Sequence, residues 1–282
     1  MLPRGQQTLV GWAFMAAGDK RSALIERFSA RVDSYAELNA PLLRQAAQPL
    51  LDQLDLTGAR RILDLGAGTG SILGWLAARA PQARCVGVDL SAAMLSRARR
   101  DTQAPVAAMD VARLALADGV ADVAVSTFVL RFVPDPLVAL REQRRILADG
   151  GVAGVAVWGA AEDSPHEALL DRILDENGAD PFVSRVVLTD DTLHDPAKLR
   201  AAMVTAGFAE PHTWGGELVR PFTAQSFVDF AQRGLERFRQ RLAGLDDQTR
   251  ASVLTTAVEQ LSEAGLATGE DRSPVVYGLA GV

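Results

Sequence analysis

The chain has 282 residues, enough for one large domain or a core domain with an appendage. Hydrophobic residues make up 48% and charged residues 23%, so a core can be buried and general disorder is excluded. A formal net charge of −6 argues against non-specific nucleic-acid binding, which needs a cationic face.

Cys85 is the single cysteine, which excludes an internal disulfide framework and a cysteine-rich zinc site. His166, His194 and His212 have no metal-ligand spacing, so no metal is expected. Residues 9–17 are apolar but too few to span a bilayer. With only Arg4 ahead of them they make a poor signal peptide. A cytoplasmic protein with no integral membrane association is expected.

Residues 20–56 read as two helices, with Leu24, Ile25 and Phe28 on one stripe and leucines from Leu38 to Leu54 on the other. Residues 62–65, 85–89, 105–111, 122–128 and 152–158 read as five short strands, with helices between them at 71–80, 91–100 and 137–147. Asp149-Gly150-Gly151 reads as the stop of the last of these helices. Short apolar strands alternating with helices predict an α/β fold with a doubly wound, mostly parallel sheet covered on both faces. Beyond Trp158 the expected elements are helices over 195–206, 222–242 and 246–261 and strands over 210–220 and 275–282. The expected organisation is a helical cap at 1–57, a core at 58–160 and a lid insertion at 161–194. Residues 195–282 then complete the sheet, with helices inserted over 222–265.

The most informative segment is Asp64-Leu65-Gly66-Ala67-Gly68-Thr69-Gly70, where a strand hands over to a helix. Glycines there allow a tight turn and a close backbone approach to a ligand. The dinucleotide pattern Gly-x-Gly-x-x-Gly is met at Gly66 and Gly68 but not at Ser71, and no Gly-Lys-Ser/Thr follows, which excludes a P-loop. Asp89 ends the second predicted strand, where a carboxylate suits ribose hydroxyls. Asp110 ends the third, with Val111 beside it, placed for an adenine. All three features fall at the one rim where open parallel sheets bind ligands. Each acid also has an ordinary structural use. Asp64 can bond turn amides, Asp89 can cap a helix, and Asp110 can cap a turn.

These residues resemble the class I S-adenosylmethionine-dependent methyltransferases, in the broad small-molecule group that includes the ubiquinone/menaquinone biosynthesis C-methyltransferases. Asp64, Gly66, Gly68 and Gly70 match the family's first motif, and Asp89 and Asp110 its second- and third-strand acids. Residues 121–130 match its fourth-strand segment and 140–151 the segment before strand five. The resemblance implies a seven-stranded Rossmann-like methyltransferase fold with helical lids and S-adenosyl-L-methionine as cofactor. It places Asp64, Gly66, Ala67, Gly68, Gly70, Asp89, Leu90, Asp110, Val111 and Thr127 at the cofactor. The implied activity is methyl transfer to a small, largely apolar organic acceptor such as a quinone or polyketide. Readings kept beside it are an S-adenosylmethionine-binding protein without methyl transfer, and an NAD-dependent oxidoreductase.

The segment after strand four departs from many relatives. It reads Phe128-Val129-Leu130-Arg131-Phe132 and offers no general base. Arg131 stays protonated and is suited to an acidic acceptor or to a surface ion pair. Tyr35, placed to close over the cofactor, and His166, after strand five, are the catalytic candidates. Aromatic candidates for an acceptor pocket are Trp12, Phe14, Phe182, Trp214, Phe222, Phe227 and Phe230.

Overall fold

The computed structural model describes residues 17–160, 164–183 and 190–282. Trp12, Phe14 and the apolar run up to residue 16 lie outside them.

Helix α1 (Ala17–Ser29) leads through a single turn, α2 (Val32–Ser34), and a π-helical turn at Tyr35–Asn39 into α3 (Ala40–Leu51). Strands β1 (Arg61–Leu65), β2 (Arg84–Asp89), β3 (Val106–Ala108), β4 (Ala121–Thr127) and β5 (Leu147–Trp158) alternate with α4 (Ser71–Arg79), α5 (Ala92–Thr102) and α6 (Pro136–Ile146). Beyond them come α7 (Pro165–Glu176), α8 (Asp190–Leu193), α9 (Pro196–Thr205), β6 (Ala209–Thr223), α10 (Ala224–Gly234), α11 (Glu236–Ala243), α12 (Asp247–Glu263) and β7 (Thr268–Gly281). The seven strands form one sheet in the order β3-β2-β1-β4-β5-β7-β6. The first five are parallel, and β7 runs antiparallel to β5. This is the mostly parallel, doubly wound sheet the strand–helix alternation predicts.

The helix starts follow from local chemistry. Ser91 accepts the Met94 amide at α5, Asp135 the Leu137 amide at α6, and Asp195 the Lys198 amide at α9. Each satisfies one of the orphan donors of a first turn. Pro136 and Pro196 sit just inside two of these starts, where a missing N–H costs nothing.

Four elements differ from the sequence expectation. The third strand is only Val106–Ala108, because β2 offers it partners at Gly87, Val88 and Asp89 alone. The Asp110 carboxylate then takes the Ala112 amide at 2.9 Å and turns the chain, so Asp110 and Val111 lie past the strand end. Asp149-Gly150-Gly151 does not stop α6. It lies inside β5, where the pairing with β4 shifts register. The expected helix over 222–242 breaks at Gly234–Leu235 into α10 and α11. The final strand begins at Thr268, seven residues before the apolar stretch that announced it.

The described residues fall into two compact units. Residues 17–160, 190–217 and 274–282 make the first, and 164–183 with 218–273 the second. In the first, Leu65, Val88, Leu140, Ile146, Leu199 and Met203 are buried in one core cluster. On α3, Leu50 is fully buried and meets Gly154 of β5, and the Tyr277 hydroxyl of β7 donates to the Ala46 carbonyl at 2.7 Å. In the second unit, Leu170, Phe227, Phe238, Val253 and Leu261 form the core of α7, α10 and α12 with α11. Arg241, 4% exposed, reaches back to Asp171 at 2.6 Å and Asp175 at 2.5 Å and also bonds carbonyls of α7 and its exit. A guanidinium so enclosed is held by charge-assisted bonds rather than by solvent.

Among the described residues no helix is long and apolar enough to cross a membrane, and no group of three metal-ligating side chains occurs.

Candidate active site

The rim formed by the C-terminal ends of β1, β2 and β4 carries the glycine loop. Gly66, Gly68 and Gly70 all have positive φ, at 79°, 53° and 87°. The amides of Gly66 and Ala67 both donate to the Val88 carbonyl, at 2.8 and 2.9 Å, which pins the loop to β2. Gly70 is the N-cap of α4 and gives no side-chain bond to the first turn, whose Leu73 amide instead acts on Asp64.

Space in the loop is uneven. A Cβ on Gly66 would meet Val129 Cγ2 at 2.5 Å and Cβ at 2.6 Å. A Cβ on Gly68 would meet only the Tyr35 ring, at 3.7 Å. The loop is thus clamped at Gly66 and open at Gly68. Val129 reaches Gly66 because Phe128 turns the chain at the end of β4 with φ 59°. A bulky residue rarely adopts that conformation, and strain of this kind clusters at functional sites. The Phe128 ring packs against Trp158 at 4.5 Å, and the Phe128 amide donates to Ala156 at 2.7 Å.

Asp64 and Asp89 face the loop from its two strands. Asp64 is 1% exposed, and neither carboxylate oxygen has a hydrogen-bond partner. Burial and then the charge of Asp89 push its carboxyl up to about 7, against a lowering influence from the Leu73 amide. Asp89 accepts the Gly68 amide at 2.9 Å and the Ser91 amide at 2.8 Å. Burial raises the Asp89 carboxyl as well, offset by the amides of Ser91, Gly68 and Leu90. Asp89 thus ties the loop at Gly68 to the turn before α5, and Ser91, not Asp89, caps the helix. Asp110 bonds Ala112 and lies 3.6 Å from Arg21, while Val111 is buried and Thr127 ends β4 opposite Ala156.

The N-terminal cap comes down on this rim. Ser29 Oγ meets Ser91 Oγ at 3.0 Å, and Arg97 of α5 bonds Asp33 at 3.0 Å. These contacts set the π turn so that Tyr35 lies against Gly68. π turns of this kind are frequent at functional sites. Burial, with the charge of Asp89 behind it, lifts the Tyr35 phenol above its ordinary range, and Arg31 opposes the shift. Such a phenol is protonated near neutral pH and serves as a hydrogen-bond donor rather than a base.

Of the residues around Tyr35, the sequence singles out Phe28, Arg131 and Phe132 but neither Arg27 nor Arg31. Phe28 meets Tyr35 edge-on at 5.8 Å and Phe132 at 5.2 Å. Arg27 lies 5.7 Å from the Phe28 centroid, Arg31 5.5 Å from Tyr35, and Arg131 5.7 Å from Phe132. The spacing of Arg27 and Arg31, four residues apart around Phe28, was the available signal.

His166 belongs to the helical unit and not to this cluster. Its ring meets Phe222 edge-on at 4.2 Å and Phe227 at 5.4 Å, and burial lowers its pKa. His194 lies beside Lys198 at 3.2 Å, and His212 stacks on Trp214.

The sheet order and the glycine loop at its rim define the fold of the class I S-adenosylmethionine-dependent methyltransferases. Residues 63–155 match the methyltransferase domain family. The chain is 29% identical over 235 residues to a trans-aconitate 2-methyltransferase of Klebsiella pneumoniae, covering 81% of this chain and 87% of that protein. It is 37% identical over 139 residues to a malonyl-[acyl-carrier protein] O-methyltransferase of Geobacter sulfurreducens, covering 47% of this chain and 51% of that protein. A methyltransferase of Haloferax volcanii, solved with its Trm112 activator, shares the fold at TM-score 0.53 and 17% identity, over 91% of this chain and 96% of that one. The matches span about half the length of several curated relatives, 47–51%. Over residues 63–155 the chain matches the methyltransferase domain family and it has that family's fold, and S-adenosylmethionine is the cofactor that fold and family imply.

The residues present fit that cofactor. The loop is open at Gly68, and Asp64 holds two buried oxygens without partners beside it.

Proposed function

We propose that this protein transfers the methyl group of S-adenosylmethionine to a small organic molecule. The observation that carries the reading is the open glycine loop with Asp64 and Asp89 turned towards it. In this reading Asp89 and Leu90 hold the ribose, and Asp110 and Val111 meet the adenine. The backbone from Gly66 to Gly70, with Asp64 and Thr127, holds the remainder. The bound cofactor supplies a methyl group activated by a sulfonium. The chain's own work is positioning and exclusion of water. Tyr35, capping the loop at Gly68, closes the site and orients by donating a hydrogen bond. His166, the other candidate from sequence, lies in the helical unit against Phe222 and Phe227 and takes no role in this reading.

The acceptor in this reading is a metabolite. A quinone or polyketide was the expectation from sequence, and the two curated relatives are named for trans-aconitate and for malonyl-[acyl-carrier protein].

The test is calorimetric titration with S-adenosylmethionine, S-adenosylhomocysteine and NAD in parallel. Saturable binding of the first two and none of NAD is expected. NAD binding alone would replace this reading with an oxidoreductase. Asp89→Ala is expected to weaken both adenosyl ligands about 10- to 100-fold, the effect of losing a charged hydrogen-bond acceptor worth about 1.5–3 kcal/mol. Unchanged affinity in a folded variant would remove Asp89 from the site.

A further inference from the structure

The segment that lies over the cofactor rim is held differently from the helix that follows it. Over residues 21–29 of α1 no side chain is fully buried, and Leu24, Ile25 and Phe28 are only half-buried. In α3, Ala46, Ala47, Leu50 and Leu51 are at most 2% exposed. Segments with little buried apolar surface are the first to open, and those with a buried face stay in place. Between the two lies the π turn Tyr35–Asn39, and Arg31 spans it by donating to Asn39 at 2.5 Å. Hinges sit at element ends of this kind.

The segment meets the rim along its whole length. Arg21 lies 3.6 Å from Asp110, and Ser29 Oγ lies 3.0 Å from the hydroxyl of Ser91, whose amide Asp89 accepts at 2.8 Å. Phe28 meets Phe132 edge-on at 5.2 Å, Asp33 accepts from Arg97 at 3.0 Å, and the Tyr35 ring faces Gly68. In the reading above, Asp110 belongs to the adenine, Asp89 to the ribose and Gly68 to the open face of the loop. One segment thus covers each part of the cofactor site. Its ties are easily broken. The side chains of Arg21 and Asp33 are 53% and 91% exposed, and ion pairs so placed hold weakly. Each turnover must exchange S-adenosylhomocysteine for S-adenosylmethionine, so a cover over this site has to move if it is to be closed during transfer.

We infer that α1, α2 and the π turn form a gate over the cofactor site, hinged at Tyr35–Asn39 against the anchored α3, and that S-adenosylhomocysteine leaves only when the gate opens. The inference rests on the methyl-transfer reading above.

The experiment locks the gate. Ser29→Cys with Ser91→Cys puts two thiols where hydroxyls lie 3.0 Å apart, close enough for a disulfide, while Cys85 is buried. Full-length protein is oxidised either before or after labelled S-adenosylhomocysteine is added. Oxidised first, it is expected to take up the ligand at least about 100-fold more slowly than the same protein reduced, and oxidised around the ligand, to release it at least about 100-fold more slowly. Reduction is expected to restore both rates. A merely structural role would weaken binding in both orders and trap nothing. Asp33→Ala, which removes only the exposed tie to Arg97, is expected to speed release about two- to fivefold. Exchange as fast in the oxidised protein as in the reduced, or escape of ligand from protein oxidised around it, would overturn the gate. If the cysteine pair fails to fold, a release rate in Asp33→Ala equal to the parent's overturns it alone. Parent protein that binds no S-adenosylhomocysteine would overturn the methyl-transfer reading itself, and the gate with it.

Discussion

Gly66→Ala is expected to lower the free energy of unfolding by about 2–5 kcal/mol, and Gly68→Ala by only about 1–2 kcal/mol. Both residues have positive φ, 79° and 53°, so each alanine incurs the left-handed backbone penalty of roughly 1–2 kcal/mol. Only at Gly66 is there a collision as well. Its Cβ would lie 2.5 Å from Val129 Cγ2, where overpacking typically costs about 1–3 kcal/mol. Val129 cannot retreat cheaply, because Leu130 behind it is 1% exposed and Phe128 before it already holds φ 59°. Val129→Ala in the same chain should recover part of the loss and no more, since Val129 Cβ itself is 2.6 Å away. For ligand binding the order reverses. The Gly68 methyl enters the open face of the loop, so Gly68→Ala should cost more cofactor affinity than stability. Urea unfolding and S-adenosylhomocysteine titration of the two variants decide the matter. Equal stability losses would show that the clamp at Val129 is absent.

What could be read in advance has a physical pattern. Strands β1, β2 and β4 are buried on both faces of a parallel sheet, so they appear as unbroken apolar runs such as Ile62-Leu63 and Val123-Ala124-Val125. Asp195 before Pro196 and Asp246 before α12 announce helix starts by local bonds alone. The glycine loop was visible for the same reason, because its conformation needs particular residues at neighbouring positions. The strain at Phe128 was not visible, since nothing local asks a phenylalanine to turn left-handed. It is held by Trp158 and Ala156, some 30 residues on. The helical unit was equally hidden. It joins residues 164–183 to 218–273, and Arg241 reaches Asp171 across 70 positions. The first residues of β7, from Thr268 to Ser273, are mostly exposed and carry no apolar pattern. The arginine–aromatic cluster combines α1 with a turn 100 residues later, and only the folded sheet brings Phe28 to Phe132.

Asp64→Asn is expected to shift stability relative to the parent by about 4 kcal/mol in the variant's favour between pH 4 and pH 8. The folded carboxyl is pushed up to about 7, while in the unfolded chain it has its ordinary value of 3.8. The folded state therefore holds the proton more tightly. Stability contributed by the neutral carboxyl is complete below pH 4 and is lost as pH rises through the window from 4 to 7. A displacement of about three pKa units corresponds to about 4 kcal/mol. Asparagine has the same shape and no titration, so the difference between variant and parent isolates this group. Comparison with the parent is needed because Asp89, Tyr35 and Cys85 also have raised pKa values, and Tyr35 and Cys85 sense the Asp64 charge. Urea midpoints at pH 4, 5, 6, 7 and 8 are the measurement, and a difference that stays flat across them would sink the argument. The same substitution should weaken S-adenosylmethionine at pH 8 by at least tenfold, because a cationic ligand would lose a buried carboxylate at its site. A side chain that costs the free protein stability near neutral pH, and gains from a positively charged ligand, is retained for binding. If Asp64→Asn instead stabilises the protein and leaves affinity unchanged, Asp64 has no part in holding the cofactor.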